Sequence, residues 1–221
     1  MKSKISGMLA VTLLLGAVTA NAALTVQTTN FLSGYTNYNG FEGMGQPGID
    51  GTFTGPYTED GITVEYVGNT SGILSNSGAA EGSYSWYPNG GGTGYTRITF
   101  GGTINAVEFQ AGSGWFSAAD ALQYDALLAG VSVGTGQIPG LSNGPGGFKF
   151  YGFSGTNFDE VRLQAQSSGA TGFAANAFEA GRYDAINFGG TPVAGVPEPA
   201  TLALLSLGLA GLGFSRRRTP N

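Results

Sequence analysis

The chain contains no histidine and no cysteine among its 221 residues, so other side chains must do any chemistry. This composition excludes Ser-His-Asp and Cys-His nucleophile systems, and zinc bound by His or Cys. Two close carboxylate pairs remain as candidates, Asp159 with Glu160 and Asp120 with Asp125. A glycosidase needs two carboxylates about 5–9 Å apart across a cleft. The pairs therefore support one alternative function, a surface carbohydrate-active hydrolase.

Tryptophans near glycine-rich segments form a second candidate site. Trp86 precedes the run Pro88-Asn89-Gly90-Gly91-Gly92, and Trp115 follows Gly112-Ser113-Gly114. An exposed ring in such a loop would stack on a sugar face, as glycan binding requires. A buried ring would instead close one end of a hydrophobic core. The sequence leaves both interpretations open.

Short alternating segments predict the elements that must position these residues. Apolar and polar side chains alternate with a period of two, the pattern of strands with one buried face. We expect such strands at 62–66, 96–100, 107–111, 148–151 and 160–165. Between 122 and 133 we expect two strands, broken near Ala129-Gly130. Asp60-Gly61 predicts a hairpin turn. This spacing predicts an all-β fold, an antiparallel β-sandwich.

Composition and charge narrow the class of protein. Glycine and proline together make 49 of 221 residues, but 14 Phe, 10 Tyr and 2 Trp favour a folded domain over a disordered chain. Residues 23–195 hold 13 acidic and 4 basic side chains, a net charge of −9. This excess of acid argues against binding to nucleic acid and to anionic membrane surfaces.

The N-terminus has the pattern of a signal peptide. Lys2 and Lys4 precede an apolar stretch at 5–18, and Ala20 and Ala22 fit the small-x-small cleavage rule. We predict that residues 1–22 direct the chain to the export translocon and that signal peptidase cuts after Ala22. The alternative is an N-terminal membrane helix, for which the apolar run is short.

The C-terminus has three parts in a fixed order. A rigid break at Val196-Pro197-Glu198-Pro199 precedes an apolar run at 201–214 and the basic residues Arg216, Arg217 and Arg218. A helix of about 15 residues spans roughly 22 Å, less than the ~30 Å hydrocarbon core. We therefore expect a short transmembrane helix that serves as a transient handle, with the arginines on the cytoplasmic side.

This composite resembles the PEP-CTERM sorting signal of Gram-negative bacteria. The resemblance implies that exosortase, a membrane-embedded cysteine enzyme, is the partner and cuts near Pro197-Glu198-Pro199. It also implies transient insertion in the inner membrane, delivery to the cell surface or the extracellular space, and association with exopolysaccharide and biofilm.

The body of the chain resembles a second group. Tyr183-Asp184-Ala185-Ile186-Asn187-Phe188 is similar to the closing strand of jelly-roll, lectin-like and carbohydrate-binding modules. The resemblance implies a jelly-roll-like sandwich in which Glu42 and Asp184 hold a structural calcium. Ala185 departs from the Asn that is usual at its position.

These observations predict four segments. They are a signal peptide at 1–22, a β-sandwich domain at 23–190, a linker at 191–195 and a sorting signal with a short transmembrane helix at 196–218. The expected function is that of an exported cell-surface or extracellular-matrix protein that is not an enzyme and is processed by exosortase.

Overall fold

The computed structural model describes residues 23–43, 51–53, 55–68, 72–75, 79–88, 94–113, 121–141, 147–166, 172–173, 181–189 and 191–192. Within these ranges the chain is all-β, and every strand pair is antiparallel. No helix that could span a membrane occurs in the part of the chain described. The predicted signal peptide and the sorting signal at 196–218 lie outside the described residues.

Fourteen strands are described. Their bounds are β1 Thr25–Gln27, β2 Leu32–Ser33, β3 Asn37–Asn39, β4 Gly51–Phe53, β5 Tyr57–Glu59, β6 Ile62–Val67, β7 Gly72–Ser75, β8 Ser85–Pro88, β9 Tyr95–Ser113, β10 Ala121–Leu128, β11 Val131–Pro139, β12 Lys149–Gln166, β13 Gly181–Phe188 and β14 Thr191–Pro192. All except β2 and β14, which pair with each other, belong to one sheet. Strand pairing therefore extends to residue 192, within the segment predicted as a linker.

The long strands β9 and β12 organise this sheet. They pair from Lys149 opposite Ala111 to Leu163 opposite Thr96, with register shifts between Ser154 and Glu160. Such irregularities bend a strand and increase its twist. Each long strand thereby contributes to two parts of the sheet. We call the part with β5, β6, β10 and β11 the front half, and the part with β1, β3, β4, β7, β8 and β13 the back half.

The two halves pack face to face around one hydrophobic core. The ring of Tyr124 on β10 lies 4.8 Å from that of Phe153 on β12, and Phe100 on β9 lies 5.3 Å from Phe188 on β13. A single buried cluster draws residues from both halves. This arrangement is consistent with the predicted β-sandwich. The jelly-roll connectivity stays a prediction.

Two hairpin turns confirm the sequence interpretation. Asp60 and Gly61 connect β5 to β6 with φ of 46° and 77°. Ala129 and Gly130 connect β10 to β11 with φ of 50° and 79°. Positive φ at both central residues matches the right-handed twist of the flanking strands. The predicted break near Ala129-Gly130 is therefore correct, although alanine carries the strained position there.

Two details of the strand prediction were wrong. The segments at 96–100 and 107–111 belong to one strand, β9, because the glycines at 101 and 102 continue it through the bend. At 148–151 the alternation indicated the wrong buried face, since Tyr151 and Phe153 are buried while Phe150 is only half-buried. Their side chains enter the core beside Phe109, whose ring lies 6.2 Å and 5.9 Å from the two.

Candidate functional site

The structure brings the two predicted calcium ligands to the same short segment. Asp184 lies on β13 and is fully buried. Its Oδ2 accepts hydrogen bonds from the backbone N–H groups of Ala80, at 2.7 Å, and Glu81, at 3.1 Å. Glu42 accepts through Oε1 from the N–H groups of Ser83, at 2.6 Å, and Tyr84, at 2.7 Å. The two carboxylates thus hold opposite ends of residues 80–84, an arrangement that we call the carboxylate clamp.

A break in the strand register orients Asp184. The pairing of β13 with β9 shifts between Asp184 and Asn187, and Ala185 has a φ of 48°. Asparagine tolerates left-handed backbone better than alanine does. This conformation gives a physical reason for the Asn found at this position in the closing strands that the segment resembles. The bulge also places the Ala185 N–H 2.7 Å from Oδ1 of Asp184. Bulges commonly redirect a side chain in this way.

The electrostatics of the clamp follow from burial. Burial raises the pKa of Asp184 to about 7, and the N–H groups of Glu81, Ala185 and Ala80 oppose that rise. The Glu81 carboxylate accepts a hydrogen bond from the Tyr38 hydroxyl at 2.8 Å. Burial, followed by this bond to Glu81, holds the pKa of Tyr38 well above its ordinary value.

The clamp carboxylates accept hydrogen bonds from backbone N–H groups, which are suitable partners for a negatively charged oxygen. Both oxygens of Asp184 and one oxygen of Glu42 receive N–H donors, whereas calcium requires six to eight oxygen ligands. No group of three or more acidic side chains that could hold a metal occurs within the described ranges. The N–H donors on these oxygens therefore favour a loop-holding role for both carboxylates, and the calcium site that the sequence resemblance implies is left to a direct test.

The candidate sugar-stacking tryptophans have different outcomes. Trp86 on β8 is fully buried, and its ring is stacked on that of Phe41 with centroids 6.2 Å apart. A ring with no exposed surface cannot contact a sugar, so the structure corrects the stacking prediction for Trp86 in favour of the core interpretation. Trp115 lies outside the described residues, and its predicted role in glycan stacking stays a prediction.

The candidate catalytic carboxylates have structural partners. Asp159 accepts from the N–H of Ala129 at 3.0 Å, and Glu160 forms an ion pair with Arg162. Asp125 accepts from the hydroxyl of Ser132 at 2.5 Å. Asp120, the proposed partner of Asp125, lies outside the described residues. Asp159 therefore holds the turn between β10 and β11, and Glu160 pairs with a neighbouring side chain on β12.

A second buried carboxylate, besides Asp184, was missed by the sequence interpretation. Glu108 on β9 is 1% exposed, and its Oε2 accepts from the N–H groups of Phe31 and Leu32, at 2.5 Å and 3.1 Å. It lies at one of the polar positions of the alternating pattern, where a side chain is ordinarily expected to face solvent. The only sequence signal is its apolar surroundings, the run from Ala106 to Phe109.

All ten carboxylates in the described ranges accept a hydrogen bond. Five of them accept hydrogen bonds from backbone N–H groups and thereby attach loops and turns to the sheet. These five are Glu42, Asp60, Glu108, Asp159 and Asp184. In a chain without disulfides, carboxylates of this kind give the loops fixed attachment points. Charge-assisted hydrogen bonds are roughly twice as strong as neutral ones.

Comparison with known proteins identifies the C-terminal segment. The PEP-CTERM protein-sorting motif matches residues 195–218, which include Pro197, Glu198, Pro199 and the three terminal arginines. No curated protein matches the chain. The match covers only the C-terminal end, so it identifies the route of the protein and leaves the ligand of the body open. The chain therefore carries a PEP-CTERM protein-sorting motif and is an exported protein sorted by exosortase through a membrane-anchored intermediate to the cell surface.

Proposed function

We propose that this chain is a non-catalytic matrix protein that exosortase releases from the inner membrane of a Gram-negative bacterium and that associates with exopolysaccharide. The sorting motif at 195–218 is the observation that carries the proposal. In this proposal signal peptidase removes residues 1–22 after passage through the export translocon. The apolar segment then holds the domain at the membrane until exosortase cuts near Pro197-Glu198-Pro199.

The contacts of the described carboxylates support a structural role over hydrolysis. A carboxyl group with a pKa near 7 is the usual mark of a general acid, and Asp184 has that property. However, Asp184 has no exposed surface and its oxygens accept three backbone N–H groups. A general acid must reach the substrate oxygen directly or through one water. The burial and hydrogen bonds of Asp184 therefore favour a structural role for this residue over a catalytic one.

Cell fractionation tests this route and destination. Cells with and without exosortase express the full chain, and antibody staining locates the protein in inner-membrane, cell-surface and exopolysaccharide fractions. We expect the protein in the exopolysaccharide fraction of cells with exosortase and in the inner membrane of cells without it. Replacing Pro197, Glu198 and Pro199 together with alanine should have the effect of losing the enzyme.

A matched control tests whether the effect is specific to the Pro-Glu-Pro residues. Ala200→Ser lies beside the motif and leaves Pro197-Glu198-Pro199 intact, so it should be released normally. Equal release of the triple-alanine variant would contradict exosortase sorting. Release into the medium with none in the exopolysaccharide fraction would contradict the matrix role alone. Polysaccharide-dependent formation of reducing ends by the purified protein would favour the hydrolase.

A further inference from the structure

An open pocket lies at the corner where the two long strands bend. Its volume is about 440 Å³, within the roughly 300–1,000 Å³ typical of ligand sites. Residues from three strand segments line it: Thr103, Ile104 and Asn105 of β9, Asn157 of β12, and Phe188 with Gly189 at the end of β13. The pocket is distinct from the carboxylate clamp, whose residues do not line it.

The bend presents Asn157 to the pocket. The β9–β12 register has no pairs for residues 155–157, and Gly155 has a φ of 99°. Residues freed from the ladder by a bulge are often redirected toward binding sites. Asn157 is exposed and lines the pocket together with Thr103 and Asn105, which are also exposed. The irregularity therefore puts a second amide at the same opening.

An aromatic residue with a fixed ring is among those that line the pocket. Phe188 is half-buried, and its ring packs edge-on against Phe100 with centroids 5.3 Å apart. Phe100 in turn packs edge-on against the buried Phe158 at 6.0 Å. This chain of rings holds Phe188 in place, so its remaining surface is a preformed apolar contact. Ile104 adds a second apolar side chain.

The polar lining has a definite chemistry. None of the described residues that line the pocket is charged, although the surrounding domain is strongly acidic. Each of the two asparagine amides offers both a donor and an acceptor, and the threonine hydroxyl offers either. Neighbouring hydroxyl groups on a ligand each donate and accept hydrogen bonds, so they need both donors and acceptors from the protein. An aromatic wall suits the apolar C–H face that a sugar ring also presents.

An exposed tyrosine precedes the residue that is hydrogen-bonded to the end of β13. The N–H of Thr36 donates to the carbonyl of Phe188 at 3.1 Å, which fixes this segment next to the pocket. The preceding residue, Tyr35, is 47% exposed, and its ring stacks on Tyr38 with centroids 5.8 Å apart. Because its ring stacks on Tyr38, Tyr35 is near the end of β13 in the fold but is not one of the residues that line the pocket.

We propose that this corner pocket binds a neutral sugar unit of a polysaccharide, with Asn105 and Asn157 as the hydroxyl-binding residues. The inference rests on the proposed matrix function and adds the class of ligand and its site. Thr103 contributes a further hydrogen bond, and Phe188 contacts the apolar face of the sugar.

Affinity electrophoresis tests the site. The exported protein, purified from cells that express the full chain, runs in native gels cast with dextran, galactomannan or xyloglucan, and with alginate as the anionic comparison. We expect retardation by at least one neutral polysaccharide and none by alginate. Asn105→Ala with Asn157→Ala should weaken that retardation about tenfold, since two hydrogen-bonding amides are lost.

The matched control is Thr58→Ala with Thr63→Ala, which removes two exposed hydroxyls that bond each other on β5 and β6. It should bind like the wild type. Equal binding by the asparagine variant, with an unchanged melting temperature, overturns the pocket assignment and leaves the matrix function standing if fractionation succeeds. Retardation by alginate alone overturns the neutral class. Retardation by none of the neutral polysaccharides overturns the site.

Discussion

Glu42 and Asp184 bind opposite ends of one five-residue segment, although 141 positions separate them in the chain. Glu42 accepts from the N–H groups of Ser83 and Tyr84, and Asp184 accepts from those of Ala80 and Glu81. Asp184 is buried whereas Glu42 is exposed, and burial raises the pKa of Asp184 to about 7.

The first prediction is that Asp184 makes stability depend on pH. Its pKa rises from 3.8 to about 7 on folding, so between these values the native state binds the proton more tightly than the unfolded state does. The free energy of unfolding therefore falls as pH rises from about 4 to 7. Urea titrations across this range should show that fall, and Asp184→Asn, which cannot titrate, should reduce it.

Asp125→Asn is the matched control for this effect. It makes the same chemical change at a partly exposed carboxylate that accepts from Ser132, so the pH slope should persist. Each pKa unit corresponds to about 1.4 kcal/mol, so the slope is large enough to measure. Parallel pH profiles for the wild type and Asp184→Asn would show that Asp184 titrates normally.

The second prediction concerns calcium. The oxygens of Asp184 and Oε1 of Glu42 already accept backbone N–H groups. We therefore expect the same melting temperature in excess calcium and in EGTA. Scanning calorimetry of the wild type, with Glu42→Gln as the comparison, measures this directly. A rise in melting temperature with calcium that Glu42→Gln abolishes would instead establish the site predicted from the sequence.

The third prediction is that Glu108 is worth more to stability than a surface acid. Glu108→Ala leaves the buried N–H groups of Phe31 and Leu32 without their acceptor. An unsatisfied buried group costs about 1–3 kcal/mol, so we expect a loss of about 2–4 kcal/mol in urea unfolding.

Glu108→Gln should cost less than Glu108→Ala, because the amide oxygen can still accept. Glu65→Ala breaks a partly exposed ion pair with Arg97 and serves as the surface control. Exposed pairs contribute about 0–1 kcal/mol. Equal losses for Glu108→Ala and Glu65→Ala would mean that the segment 31–32 is not held by Glu108.

Local sequence patterns predicted the strands because the period of two and the turn chemistry are properties of neighbouring residues. Asp60-Gly61 and the alternation at Val161, Leu163 and Ala165 have the expected positions. The bend in β9 was not predictable, since it depends on register shifts against β12, some 50 residues away.

The clamp and the corner pocket were less accessible to sequence reasoning. Resemblance singled out Glu42 and Asp184, but their actual partners are backbone N–H groups of a distant loop, which have no side-chain signature. Asn105 and Asn157 are ordinary surface residues until the bend brings them together. Both features are set by tertiary contacts.

The fourth prediction tests the close contact between the long strands. A Cβ at position 152 would meet the backbone oxygen of Val107 and the ring of Phe31, whereas one at position 102 would meet nothing within 4 Å. Gly152→Ala should therefore destabilise the protein by about 1–3 kcal/mol or more, the usual cost of overpacking. Gly102→Ala is the matched control and should be close to neutral. Equal midpoints in urea for the two variants would contradict this packing.

The last prediction separates core packing from sugar binding at Trp86. Its ring is fully buried against Phe41, so Trp86→Ala should lose about 3–5 kcal/mol, the usual cost of emptying a large aromatic site. Trp86→Phe keeps an aromatic ring there and should remain folded with a smaller loss. Because the ring has no surface to offer a ligand, Trp86→Phe should be retarded by neutral polysaccharide as strongly as the wild type. Weaker retardation of a well-folded Trp86→Phe would restore Trp86 as a sugar contact and would argue against its burial.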